Sequence, residues 1–331
     1  MQKRPGNAWL ARCVTLTLVL PLLPGAYAEA RIDKGPYNGW PEAFMISNGK
    51  VDAVVVPGIG RVMQFRFTGE KDGPFWENHA LDGKSPDSQS SEWINFGGDK
   101  TWPAPQSEWA KTTGRSWPPP KAFDSMPVDT AVEGETLVLR SKIDLNYGVR
   151  TERRVSLSPT EPEMRIETIY RKIEGPPIRV GVWVITQLKD PEKVSMPVPE
   201  KNLFKMGYNK QSEALPAHLQ FTNSWVSCTR SPKMSTKIGS DASELIWANQ
   251  HWVLAIHAQR EAAGDFPDNG SSAEIYTNPD PNQYVELEML GPLQQLKRGE
   301  TLSRTQTYRL YRRGAGPVEE QMRALLPAAT H

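Results

Sequence analysis

Apolar and polar residues alternate at period two along much of this chain from residue 40 onward, and helical spacing is scarce. Successive side chains of an extended strand point to opposite faces, so such runs predict half-buried strands. The pattern predicts them over 136–143, 149–157, 164–172, 178–186, 252–258, 283–290 and 301–311. Only 318–326 has the spacing of a helix, short and terminal. Near the start, Phe44-Met45-Ile46-Ser47, then Asn48-Gly49, then the run 51–56 predict a hairpin, with Asn-Gly suited to the positive φ angles of a type I′ turn. No repeat or low-complexity linker divides the body. The expectation is an all-β fold: one large sandwich or barrel domain over 29–313, with 314–331 as a tail carrying the helix.

The first residues have a different character. Lys3, Arg4 and Arg12 precede or flank an apolar run over 14–23, followed by Ala26-Tyr27-Ala28 before Glu29. A basic start, an apolar stretch too short to span a bilayer and a small-x-small site describe a secretory signal peptide over 1–28, and hence an exported, periplasmic or extracellular protein. Cleavage removes three cations and no acid, moving the formal charge from +1 to −2. Cys13 leaves with the leader, and Cys228, alone in the mature chain, reads as a small buried hydrophobe that has no disulfide partner. No second apolar run is long enough to span a membrane. With 39 Lys+Arg against 38 Asp+Glu the chain lacks the basic surplus that phosphate contacts require, and 38% hydrophobic content is too much for disorder.

Between about 75 and 123 the alternation gives way to Pro, Gly and Trp. Loops beyond about 12–15 residues in compact domains tend to be functional or disordered. Trp76, Trp93, Trp102, Trp109 and Trp117 make disorder a poor account, because rings of that size are buried or used for binding. Asn95-Phe96-Gly97-Gly98-Asp99-Lys100-Thr101-Trp102-Pro103-Ala104-Pro105-Gln106 offers flat rings between polar tips. Sugars suit such a surface, their C–H faces on indole and their hydroxyls on Asn95, Asp99, Lys100 and Gln106. The plainer reading is an aromatic loop sealing one end of the sandwich, with Asp99-Lys100 as a solvated ion pair.

A second constellation lies late in the chain. Strand alternation puts Tyr284, Glu286, Glu288 and Leu290 on one face, so two carboxylates are neighbours. In a cleft, repulsion and burial would raise one pKa and suit it to proton transfer; facing water, they are ordinary surface acids. Arg61 shares the face of Met63, Phe65 and Phe67 if its strand is regular, and either begins the strand outside the core or serves a ligand. His79, next to the Trp-rich segment, is the one histidine considered as an acid; a surface or packed histidine is the simpler view. No His pairing of metal-ligand type, nucleophile elbow, P-loop or dinucleotide fingerprint occurs, so no metal, cofactor or nucleotide is expected.

The motifs Asn48-Gly49-Lys50-Val51, Val56-Pro57-Gly58-Ile59-Gly60-Arg61-Val62, Gly97-Gly98-Asp99-Lys100-Thr101-Trp102-Pro103-Ala104-Pro105-Gln106, Trp117-Pro118-Pro119-Pro120 and Leu287-Glu288-Met289-Leu290-Gly291-Pro292-Leu293 resemble the uncharacterised bacterial family of domain of unknown function 4380. That resemblance covers nearly the whole mature chain and implies a galactose-mutarotase-like β-supersandwich whose concave face binds a sugar. It implies Glu288 as the base at the anomeric hydroxyl, with Glu286 as its rival, and Arg61 as a hydroxyl contact. Where such enzymes place Asn-His, this chain has Gln187, which cannot cycle a proton as imidazole does. The expectation is therefore a carbohydrate binder in which Trp102, Trp109, Trp117, Asp99, Lys100 and Gln187 hold the ligand. The alternatives are an aldose 1-epimerase-type isomerase with Glu288 as base and His79 or Asp99 as acid, and an envelope protein-interaction module. The sugar reading expects the Trp-rich excursion and the late acidic strand to bound one hollow, with Asp99 and Glu288 both opening into it.

Overall fold

The computed structural model describes residues 1–2, 30–87 and 89–325, so the leader expected over 1–28 falls outside the described residues except for its first two. Two antiparallel sheets carry almost all the regular structure. The first runs in the order Arg31–Tyr37, Trp40–Ser47, Val51–Val56, Arg61–Phe67, Asp99–Ala104, Ile178–Lys189, Tyr284–Leu290, Ala273–Thr277, Thr236–Ser240, Asn209–Lys210, with Gln294–Leu296 also paired to Ile178–Lys189. The second contains Val149–Leu157, Glu163–Lys172, Trp252–His257 and Thr301–Arg312 among its ten strands. The expected all-β supersandwich is therefore present, and a short helix, Val318–Ala324, follows the last strand.

The core lies between the sheets because each strand's apolar set points there. Ile46, Val51, Phe65, Leu188, Val285 and Leu287 from the first sheet join one buried cluster with Leu137, Val155, Ile166, Leu254, Ile256 and Leu310 from the second. Each such side chain contributes about 1.5–3 kcal/mol on burial. Cys228 sits in this cluster, its thiol pushed up to about 12 by burial, which makes it an inert packing residue.

Two local expectations are corrected. The hairpin joining Trp40–Ser47 to Val51–Val56 forms, but Gly49 takes positive φ (81°) while Asn48 does not, so it is not a type I′ turn on Asn-Gly. The Asn48 side chain instead accepts the Lys50 and Val51 amides, both at 2.9 Å. The segment 75–123 is not wholly irregular either: Asp99–Ala104 is a strand between Arg61–Phe67 and Ile178–Lys189. Its Pro103 disguises it, yet the neighbouring strand meets it only at Val62 opposite Asp99, leaving Pro103 at a free edge where no amide is required. The Pro103 carbonyl accepts the Trp109 indole N–H at 2.7 Å.

Candidate functional site

The site is built by register. Residues paired directly across antiparallel strands project to the same side. Trp102 pairs with Trp183, Ile185 with both Lys100 and Glu288, Glu288 with Glu274, and Glu286 with both Gln187 and Tyr276. Four strands thus present indoles, carboxylates and lysines on the face turned away from the second sheet. Over this face lies a hollow of about 300 Å³ lined by Trp93, Trp102, Gln106, Trp117, Trp183, Lys237, Tyr276, Asn278, Tyr284, Glu286 and Glu288.

The excursion supplies the indole wall. Trp102 is central, its ring centroid 6.1 Å from Trp93, 5.6 Å from Trp109, 5.8 Å from Trp117 and 5.3 Å from Trp183, all edge to face. Such contacts are worth about 0.5–1.5 kcal/mol each beyond area burial. Trp117 remains 46% exposed, open to an incoming ring, whereas Trp109 is fully buried and packs behind the wall.

Opposite the indoles is a charged network. Lys237 Nζ lies 2.9 Å from Glu288 Oε2 and 2.7 Å from Glu274 Oε2, and the Trp183 indole donates to Glu288 Oε2 at 2.7 Å. Burial disfavours the ammonium of Lys237, but Glu274 and Glu288 outweigh it and hold the pKa above the ordinary lysine range. Burial is also the main cause that pushes Glu288 up to about 8; Lys237 opposes the rise, and Glu274 and Glu286 add to it. Burial thus biases Glu288 toward its protonated form, while the Lys237 ammonium is shared between Glu274 and Glu288. Glu286 Oε1 accepts from Lys100 Nζ at 3.3 Å and from Gln187 Nε2 at 2.9 Å. Lys100 is fully buried, and burial lowers its pKa against the pull of Glu286.

Several residues expected at the ligand are elsewhere. Asp99 and Lys100 form no solvated pair; being adjacent on a strand, they point to opposite faces. Lys100 faces the indoles, while Asp99 faces the second sheet, where Arg153 donates to its carboxylate and, at 3.2 Å, to its carbonyl. Thr186 Oγ1 and Tyr308 OH each donate to Asp99 Oδ2 at 2.6 Å. Asp99 is thus an inter-sheet strut, and the expectation that it opens beside Glu288 is corrected. His79 is exposed and bound to Asp82 at 3.1 Å, outside the hollow. Asn95 does not line the hollow but stands behind it: its side chain accepts the Gly97 amide at 3.3 Å and also hydrogen-bonds Tyr284, which does line it.

Arg61 neither opens a strand outside the core nor lines the hollow. Fully buried, it donates to Asp124 Oδ1 at 2.9 Å and to the Gly97 carbonyl at 2.7 Å, and the same Asp124 oxygen accepts the Trp102 indole at 2.8 Å. The arginine positions the wall. Gly97 (φ 90°) and Gly98 (φ 71°) approach their own chain rather than a ligand: a Cβ at Gly97 would stand 2.2 Å from the Trp76 carbonyl oxygen. Sequence reasoning missed Trp183, Lys237, Glu274, Tyr276, Asn278 and Tyr284 as site residues. Register was the absent signal, because Thr236–Ser240 and Ala273–Thr277 are too short and too rich in polar residues to stand out.

A family model for a domain of unknown function, number 4380, matches residues 42–311. The chain belongs to this family. No curated protein sequence matches it. Among solved structures, a TPR-domain containing protein from Parabacteroides distasonis superposes with a TM-score of 0.59 at 13% identity over 87% of this chain; the chain spans 49% of that protein's length. A galactose mutarotase-like protein from Lactobacillus casei gives 0.54 at 7% identity, covering 81% of this chain and 100% of its own. Another from Clostridium acetobutylicum gives 0.52 at 8% identity, covering 86% and 99%. Identities this low establish the shared galactose mutarotase-like fold.

Proposed function

We propose that this is an exported carbohydrate-binding protein whose ligand occupies the hollow between the Trp-rich excursion and the late acidic strand. The carrying observation is that Trp93, Trp102, Trp117 and Trp183 share one cavity with Glu286, Glu288, Asn278 and Gln106. Indole faces take the C–H surface of a pyranose, while carboxylate and amide groups take its hydroxyls. The volume of about 300 Å³ is at the lower end for small-ligand sites and suits one or two sugar rings. Export rests on the sequence of residues 1–28; no helix among the described residues is long and apolar enough to cross a membrane.

Aldose isomerisation is the second reading, favoured by the raised pKa of Glu288 inside the hollow. With His79 and Asp99 turned elsewhere, the proton relay would fall to the two carboxylates themselves. Glu288 in its protonated form would give its proton to the ring oxygen as Glu286 takes the anomeric hydroxyl proton, and the reverse transfers would close the ring on either face. A glycan panel screened against the mature protein, followed by NMR of anomer exchange on each hit, tests both readings. Binding without faster exchange leaves the binder alone, faster exchange lost in Glu288→Gln supports the isomerase, and absence of any glycan binding refutes both.

A further inference from the structure

A neutral sugar needs flat rings and hydroxyl partners but no cluster of ionisable groups, and this hollow has more acidic than basic side chains in and behind it. Glu286 and Glu288 line it; Glu274 lies behind them, salt-bridged to Lys237 and hydrogen-bonded to Asp268, a carboxyl pair that holds a proton between its members more readily than either carboxyl alone. Against these stand the ammonium groups of Lys237 and Lys100. Arg61 and Asp124 are paired with each other at 2.9 Å and cancel. Four acidic side chains in and behind the hollow thus stand against two lysines, and the negative charge among them grows as Glu288 ionises. Their mutual repulsion is visible: after burial, Glu274 is the next cause pushing Asp268 up to about 6, and Glu274 and Glu286 add to the rise of Glu288. Gln187, fully buried beside Glu286, has an Oε1 without a donor.

The aromatic wall already accommodates cations. Lys237 Nζ sits 4.7 Å from the Trp183 ring centroid and Lys100 Nζ 5.0 Å from that of Trp102. Trp117, Tyr276 and Tyr284 line the same cavity. Rings and carboxylates in one desolvated cleft are the chemistry that captures an ammonium group. Lys237 does not reverse this preference, since Glu274 and Glu288 hold it at 2.7 and 2.9 Å.

Resting on the carbohydrate reading, we propose that the hollow selects a sugar bearing a free protonated amine over its neutral and anionic counterparts, with Glu286 and the Tyr276 and Tyr284 rings receiving the ammonium. The arriving cation stabilises the ionised form of Glu288, so binding releases protons near neutral pH. The test is calorimetric titration of the mature protein with matched methyl glycosides of gluco, galacto and manno configuration, each as the neutral sugar, the amino sugar, its N-acetyl derivative and the uronate. The expected result is an amino sugar binding about tenfold or more tighter than its neutral and N-acetyl forms, an advantage that shrinks with added salt and in Glu286→Gln. Repeating the titration in buffers of different ionisation heat should show proton release. Comparing amine with N-acetyl amine and varying salt both use the unaltered protein, so a variant that fails to fold leaves the inference testable. Equal affinity for amino and neutral forms, or a preference for the uronate, overturns the amine selectivity while leaving the carbohydrate reading intact. Failure of every sugar in the panel overturns that reading and this inference with it.

Discussion

Asp99→Asn separates a structural aspartate from a ligand-binding one. In the folded chain Asp99 is fully buried and receives Arg153 from the facing sheet, together with Thr186 and Tyr308 at 2.6 Å each. The amide keeps the shape but removes the negative charge, stranding the Arg153 guanidinium, which is itself 3% exposed. Breaking a buried pair from one side costs about 3–5 kcal/mol. At roughly 2 °C per kcal/mol for a large domain, the melting temperature should fall by about 6–10 °C. Urea unfolding of the wild type and the variant measures the loss, and replacing Asp99 and Arg153 together by apolar residues should recover much of it. Sugar affinity of the folded variant should stay within about twofold. A variant of unchanged stability that no longer binds sugar would refute the strut and return Asp99 to the binding site.

Trp117→Ala, at an exposed indole, should leave stability nearly unchanged but lower sugar affinity roughly five- to tenfold, as titration will show. Glu288, raised from 4.5 to about 8 in the folded chain, favours folding most when protonated; that contribution is complete below the unfolded value and declines as pH rises from about 4.5 through 8. Glu288→Gln should flatten this part of the stability profile in denaturation measured across pH 4–9, and an unchanged slope would contradict the assignment. Gly97→Ala must hold φ near 90° with its Cβ against the Trp76 carbonyl, so it should lose at least about 1–3 kcal/mol and loosen the indole wall, read by near-ultraviolet circular dichroism.

The parts of the fold legible in the sequence were those whose periodicity survives in one dimension. Thr301–Arg312 alternates cleanly because one face meets the core and the other meets solvent, and Val149–Leu157 does so outside its buried Thr151-Glu152-Arg153 centre. The alternation of Tyr284, Glu286 and Glu288 likewise gave the correct shared face, since it requires only that the strand be regular. Asp99–Ala104 was hidden because all six of its residues are buried, so no polar face marks its period, and because Pro103 signals a break unless the free edge beside it is known. The roles of Asp99 and Arg61 were illegible for a related reason. A buried charge is defined by its partner, and Arg153 and Asp124 lie 54 and 63 residues away in the chain. Lys237 and Glu274 became site residues only once register set them beside Glu288.

The most direct measurement of the central claim is the indole N–H region of the protein's NMR spectrum during titration with the panel sugars. The Trp93, Trp102, Trp117 and Trp183 signals should move together and saturably, while those of Trp225 and Trp247, buried in the other sheet, stay fixed. Sugar-induced shifts confined to indoles outside the hollow, or no shift with any sugar, would contradict that claim.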